Sequence, residues 1–587
     1  MRKSLSRDGE SPARDVQNDG GVISCSIMPK PQRTIPPSLI MCCFLLSAPI
    51  LLPPWIPVSH CQTREDCLET AKEAAAWIKS VAVPSVQGLA WPRSSASGMW
   101  MTGLDEGSAG IGEFLLRLYQ DTQDMQYLDM AEKASNYVYT EYQKGNYYGP
   151  DWLAGAAGGG TYFLDLFRVT GDHRYLDRAK SVAGWLIDNV YTDSAGYYWR
   201  HSPALPNIYT GVAHGAAGIG LFFLGLFTET GDSLYLRYAE GALTWTRQFT
   251  VNLGDSAIGW KRLSTDKVPY HLWCGGSTGM VFFLDSLYRV THNNLYRTLL
   301  RETAAGLKNA AVPDNGGVAW HYATDDYSFP VIYCHGTAST AHALYLAGSE
   351  LADETLAATA RRGAEWLKKA KRPSGAAADS WPHILGWDQY DTGLFTGTAS
   401  VGHAFINFFR YDPDSSYLTE AKEAAAYLLS VADLPAKGQL RWINYTSPDN
   451  PGYDVKAYYT GLYSGTAGVA AFFLELYQLM GSLESTIAKP PAQIPDRAAV
   501  SSYPNPFNLS TRVVIDLPGD ESVKLELFDI LGRKIRTLIG PSYMKAGQHT
   551  VTWDGTDGSA REIPSGVYFA VLEHENGIVC HKLLLLK

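Results

Sequence analysis

The chain has 587 residues, 46% hydrophobic and 18% charged, enough for several domains with sizeable cores. A formal net charge of −10 and the absence of any basic stripe exclude a binder of nucleic-acid backbone, which needs clustered Lys and Arg. Eight cysteines spread over this length exclude a disulfide scaffold.

Residues 1–27 are polar and irregular, and Met28 offers a second start. Lys30 and Arg33 then precede an apolar run, Leu39 to Val58, followed by Ser59-His60-Cys61-Gln62. Basic, apolar and small-residue regions in that order read as a secretory signal, so residues 1–61 are taken as an N-terminal extension and signal peptide. Pro49, Pro53, Pro54 and Pro57 interrupt the run, which makes a spanning helix the weaker reading. No integral membrane segment is expected after cleavage. Cys25, Cys42, Cys43 and Cys61 lie in this segment, leaving Cys67, Cys274, Cys334 and Cys580.

From residue 62 to 483 one unit recurs. A small-residue tetrad starts at Gly107, Gly155, Gly215, Gly276, Gly336, Gly397 and Gly465, about sixty residues apart, and mostly leads an apolar helix. Between tetrads lie amphipathic segments such as DCLETAKEAAAWIKSV from Asp66 and YLDRAKSVAGWLIDNV from Tyr175. The glycine-led helices are apolar nearly all round and should be buried on every side. Seven such pairs predict a mainly α fold, an (α/α)7 toroid or double barrel with seven inner and seven outer helices. If every inner helix begins at one rim, the residues before the glycines converge on a single bowl, with free N–H groups at the helix starts.

The chemistry-bearing residues stand at those positions. Asp105 and Glu106 precede the first tetrad, Asp151 the second, His214 the third, Cys274 the fourth, and Cys334-His335 the fifth. Two thiols and an imidazole on neighbouring inner helices form a zinc set with a fourth position open. Asp151 reads equally as a helix cap or a site carboxylate. Asp105, Glu106, Asp388 and Asp391 read as caps and surface charges.

The segments GVAHGAAG at Gly211, LWCGGSTG at Leu272 and YCHGTAST at Tyr333 resemble the signature of the lanthionine synthetase C-like (LanC-like) family. The resemblance implies an α/α-toroid with a central Zn2+ held by Cys274, Cys334 and His335. It also implies His214 as acid/base and Asp151 as its acidic companion. The implied activity is carbon–sulfur bond formation: a peptide or small-molecule thiol adds to dehydroalanine or dehydrobutyrine, closing a lanthionine-type ring or conjugating the thiol. Gly275 departs from the Tyr that cyclases often carry after the first zinc cysteine, and Tyr270-His271 stands where some carry Arg.

Residues 484–502 are rich in Pro, Ala and Ser and read as a linker. Beyond them RVVIDLPG, VKLELFDILG, HTVTWDG and GVYFAVLEH alternate apolar and polar residues, predicting a small all-β sandwich over 503–587. YPNPFN at Tyr503, the DILGRKIRTL run, GVYFAVLE and the terminal KLLLLK resemble a type IX secretion sorting domain of FlgD-like immunoglobulin type. That implies the type IX machinery as a partner and a protein secreted to, or held on, the outer surface of a Gram-negative bacterium. Two other classes fit the repeat. A carbohydrate-active toroid would pair carboxylates such as Asp151 and Asp388 across a groove. A non-catalytic surface binding protein would keep zinc for structure.

Overall fold

The computed structural model describes residues 63–487 and 497–585, apart from short stretches at 96, 202–207, 374–377, 388–389, 445–456, 504, 508–509 and 560. The signal segment and Asp388 lie outside the described residues. The chain divides into two compact units between Leu479 and Met480.

In the first unit α1 (Arg64–Ser80) and α2 (Ser108–Thr122) are followed by α3 (Met125–Gln143), α4 (Ala156–Thr170), α5 (His173–Asp188) and α6 (Ala216–Thr230). Next come α7 (Ser233–Thr246), α8 (Ser277–Thr291), α9 (Asn294–Asn309) and α10 (Thr337–Leu351). The series ends with α11 (Glu354–Ala370), α12 (Thr398–Tyr411), α13 (Ser415–Ser430) and α14 (Thr466–Ile487). Even-numbered helices are the glycine-led ones and odd-numbered helices the amphipathic ones. From α2 to α12, successive even helices pack on one another and each also packs on the odd helix that follows it, giving inner and outer layers. The guanidinium of Arg64, on α1, lies 4.1 Å from the ring centre of Tyr477, on α14, so first and last helices meet.

Local chemistry explains each turn of this pattern. Asp124, Asp172, Asp232, Asn293, Asp353 and Asp414 cap the outer helices α3 to α13, each side chain accepting the N–H two residues on. At the inner helix starts the glycine is required by space rather than by its dihedral angle. Gly215 has an extended φ of −118°, yet a Cβ there would stand 2.5 Å from the Gly211 nitrogen. At Gly336 it would stand 2.5 Å from the Ile332 carbonyl oxygen.

Short hairpins join most outer helices to the next inner one: β1 (Val83–Ser85) with β2 (Gly88–Ala90), β3 (Tyr191–Asp193) with β4 (Gly196–Tyr198), β5 (Thr250–Gly254) with β6 (Ala257–Trp260), and β7 (Val312–Asp314) with β8 (Gly317–Ala319). Each is followed or ended by a buried tryptophan. Trp91, Trp199, Trp320, Trp381 and Trp442 donate their indole N–H to carbonyls of Ile78, Leu186, Leu307, Leu367 and Leu428 at the ends of outer helices. Trp260 turns instead to the Thr303 hydroxyl, 2.9 Å away. This tryptophan repeat is a second signature beside the glycine tetrads.

The rim is closed by backbone hydrogen bonds between successive repeats. Asp105 N donates to Leu153 O, Leu153 N to Ala213 O, Ala213 N to Cys274 O and Cys274 N to Cys334 O. Cys334 N then donates to Phe395 O, Phe395 N to Tyr463 O, and Tyr463 N back to Asp105 O. Every member stands two residues before its tetrad glycine. The ring pays for these backbone groups inside the fold, where each would otherwise be an unmatched donor or acceptor.

The inner helices are buried as expected, but they are not apolar all round. Arg168 on α4 pairs with Glu229 on α6 at 2.6 Å, Arg289 on α8 with Glu350 on α10 at 2.9 Å, and His403 on α12 with Glu475 on α14 at 2.5 Å. These polar side chains fall on the turns after the apolar start of each helix and find partners on the neighbouring inner helix. The Thr466–Glu484 stretch of α14 is long and apolar enough to cross a membrane, and 67% of it is buried here as the seventh inner helix.

The second unit is antiparallel β. β9 (Ala499–Tyr503), β10 (Thr511–Leu517) and β13 (Gly547–Trp553) form one sheet in the order β13-β10-β9, and β11 (Glu521–Asp529), β12 (Lys534–Met544), β14 (Gly566–His574) and β15 (Gly577–Leu585) form another in the order β12-β11-β14-β15. Alternate residues of both sheets, among them Ile515, Leu525, Trp553, Leu572 and Leu583, share one core. The stretch 484–502 holds the end of α14 and most of β9.

Candidate metal centre and its flanking histidines

The backbone ring decides which side chains meet. Cys274 and Cys334 hold equivalent positions in adjacent repeats, linked by the Cys274 N–H to Cys334 carbonyl bond of 3.2 Å. His335 follows directly. Donor atoms of Cys274, Cys334 and His335 lie within 4.8 Å of one another, and neither thiol is in a disulfide. Contact with the Cys334 sulfhydryl holds the Cys274 thiol well below its ordinary pKa, with His335 adding to the effect against burial. The Nδ1 of His335 is buried without a hydrogen-bond partner. An orphaned buried nitrogen costs about 1–3 kcal/mol, a cost that a coordinated cation removes. Two thiols and an imidazole are soft and borderline donors, and three protein ligands leave a position open. This group fits a metal ion.

Next to it, Asp151 is wholly buried and uses both carboxylate oxygens. Oδ1 accepts the N–H groups of Ala154 at 2.6 Å and Gly155 at 3.1 Å, tying it to the start of α4. Oδ2 faces His201 Nε2 at 2.8 Å and His214 Nδ1 at 3.3 Å. The carboxylate is therefore both cap and site residue. Burial pushes its pKa up, but the hydrogen bonds from His201 and His214 outweigh this and hold it below the usual carboxylate range. For His214 burial lowers the pKa, and Asp151 more than reverses it. The His214 side chain keeps 32% of its surface exposed, and its Nε2 has no hydrogen-bond partner among the described residues. It is an available imidazole nitrogen beside a metal-ligand set.

Aromatic rings from repeats two, four, six and seven also meet here. Trp152 lies 6.0 Å from Trp273 and 6.1 Å from Tyr463, Trp273 lies 4.9 Å from Phe395, and Phe395 lies 4.7 Å from Tyr463. Contacts between repeats two, four, six and seven are possible only near the centre of the toroid.

Sequence reading of the tetrads misses two histidines that the structure brings here, and Asp391, read from the sequence as a cap or surface charge, is buried beside one of them. His201 touches Asp151, and His383 lies 5.3 Å from His335, ring centre to ring centre, with Asp391 3.5 Å from its Nδ1. Both histidines stand two residues after an anchoring tryptophan. The same position places Arg93 on Glu106 and Tyr322 near His335. The tryptophan repeat was therefore the signal that would have found them. Asp105 is not a surface charge: it is buried, accepts the Ser464 hydroxyl at 2.7 Å, and burial with Glu106 nearby pushes it up to about 7.

Arg262, another residue in that position, explains Gly275. A Cβ at 275 would stand 2.7 Å from Arg262 Cγ, and the Arg262 guanidinium lies over Tyr270 at 4.8 Å. The space of a side chain at 275 is taken by Arg262.

A family model for lanthionine synthetase C-like protein matches residues 140–419 and 276–487, more than half of the chain. The chain belongs to the LanC-like family. The matched span of this LanC-like protein holds Asp151, His214, Cys274, Cys334 and His335, and leaves out the first repeat and the β unit. Similar solved structures include nisin cyclase, 13% identical with a TM-score of 0.48, covering 73% of this chain and 97% of that one. Others are D-mannose isomerase, 10% identical with a TM-score of 0.44 over 72% and 97%, and cellobiose 2-epimerase from Bacillus thermoamylovorans, 13% identical with a TM-score of 0.42 over 71% and 98%. No curated protein matches the chain significantly.

Proposed function

We propose that this LanC-like protein is a zinc-dependent enzyme that adds a thiol to dehydroalanine or dehydrobutyrine, forming a thioether. The observation that carries the reading is the rim register, which sets Cys274, Cys334 and His335 together and His214 with Asp151 beside them. When bound, zinc supplies an open position and lowers the pKa of an incoming thiol.

The chain's own residues handle the proton. Asp151 accepts the Nδ1 hydrogen of His214, which leaves Nε2 as the basic nitrogen. Nε2 takes the proton of the thiol. Sulfur then bonds to the β-carbon, the double bond opens, and Nε2 returns the proton to the α-carbon. No electron donor or acceptor is required.

The test starts with metal analysis of protein purified without chelator, with one zinc per chain expected. A dehydroalanine peptide and a thiol then report thioether formation by wild type and His214→Ala, with about a 10²–10⁴-fold loss expected in the variant. Zinc-free protein defeats the metal reading, and equal rates remove His214 from the chemistry.

Export belongs to the same proposal. The signal segment within residues 1–61 and the type IX-like β unit from 503 would deliver the enzyme beyond the outer membrane of a Gram-negative bacterium. Removing residues 503–587 should leave the protein in the periplasm of a host with that system, as read by cell fractionation.

A further inference from the structure

The shortest contact to Asp151 from a side chain comes from His201, which none of the chemistry above uses. Its Nε2 lies 2.8 Å from Asp151 Oδ2 and 3.1 Å from the backbone carbonyl of His214. Both partners only accept, so the hydrogen is on Nε2 and one N–H spans the two. His201 thus touches both members of the dyad at once: the carboxylate of Asp151 and the main chain of His214. The direct His214 Nδ1 to Oδ2 contact is longer, at 3.3 Å.

We propose that His201 is a positioning residue that sets the tautomer and orientation of His214. Four donors converge on Asp151: Ala154 N–H and Gly155 N–H on Oδ1, His201 and His214 on Oδ2. Three of them belong to the frame, and they fix where the carboxylate points before His214 is considered. A carboxylate held this way accepts only the Nδ1 hydrogen of His214, so Nε2 carries the lone pair. The second bond of His201 stops the His214 backbone from moving away along the long 3.3 Å contact.

His201 is itself well braced. Its ring packs edge-on to Tyr209 at 5.6 Å and to His214 at 5.8 Å. Its far side lines a cleft of about 480 Å³ shared with Tyr147, Trp185, Tyr191 and Arg200. A Cβ built on Gly149 would lie 3.1 Å from His201 Nδ1, so that nitrogen sits on the cleft side and Nε2 on the carboxylate side.

The orienting role has a direct spectroscopic readout that needs no substrate. In full-length protein with 15N-labelled histidine, the ring nitrogens of His214 report the tautomer. Wild type is expected to show the Nδ1–H form, and His201→Phe a mixture of both forms. His201→Gln, which keeps an N–H near the Nε2 position, is expected to restore the wild-type signal. In the thioether assay, which rests on the function proposed above, His201→Phe should lower kcat about 10–100-fold with KM within about twofold, the range for losing a group that orients a ligand or base. Phe spectra identical to wild type overturn the proposal, as does a Gln variant that behaves like Phe. Two metal ions per chain in wild type would also overturn it, because a cation shared by Asp151, His201 and His214 would replace the N–H bonds. If no thioether forms in any variant while the tautomer shift appears, the positioning role stands and the reaction assignment fails.

Discussion

Asp151 has no lone pair left for a substrate, because four N–H groups already converge on it. Its influence on chemistry passes through His214. Substitution by Asn places an amide N–H against imidazole or backbone donors and should cost about 3 kcal/mol. The pH dependence follows from the directions of the two shifts. Asp151 is held below its unfolded value, so its contribution is complete above about pH 4 and is lost as pH falls toward its folded value. His214 is held above its unfolded value, so its contribution is complete below about pH 6.5 and is lost as pH rises through its folded value. The difference in Tm between wild type and Asp151→Asn should therefore be largest between about pH 4 and pH 6.5 and shrink on either side. A difference that does not change with pH would show that the pair contributes only through packing. At the metal trio, Cys334→Ser should abolish zinc binding measured by metal analysis. The wild-type Tm should fall on chelation while the variant's does not, because a ligand bound only to the native state stabilises it by mass action.

At the level of elements, caps and tetrads do separate work. Asp172 accepts the Arg174 N–H at 2.9 Å at the start of α5, far from the metal trio in the repeat. Asp172→Ala should lower stability by about 1 kcal/mol in urea unfolding and leave zinc content unchanged. Gly336→Ala should do both kinds of damage. Its Cβ would press on the Ile332 carbonyl in the loop that carries Cys334 and His335, so reduced Tm and reduced zinc are expected together. Retention of full zinc by Gly336→Ala would mean that the loop relaxes without moving its ligands. Five tryptophans act at the same scale, each tying its loop to the outer helix before it through an indole N–H bond of 2.7 or 2.8 Å. Such a bond contributes modestly when made and costs more when its buried partner is left alone.

At the scale of the molecule, the described residues hold two units with separate cores, one helical and one built on Ile515, Leu525, Trp553 and their neighbours. Calorimetry should resolve two transitions, and a chain ending at residue 487 should keep the transition of the helical unit. A single transition lost on truncation would show that the units fold as one. Much of this organisation was legible in the chain itself. Seven glycine tetrads, the amphipathic helices between them and the alternation after residue 503 are local patterns, because burial on one face repeats at the period of the element that makes it. The thiols and histidine before the tetrads could also be read locally, together with their likeness to LanC-like proteins. What the repeat could not reveal from its glycines alone was decided by closure of the toroid. Only the ring of backbone bonds from Asp105 through Cys274 and Cys334 back to Tyr463 sets the angular register in which side chains meet. His201 reaches Asp151 across fifty residues, Arg262 fills the space at Gly275, and inner-helix charges pair between repeats. The position two residues after a tryptophan marks His201 and Arg262 locally, but which partner each meets depends on distances between elements, which packing around a closed ring determines.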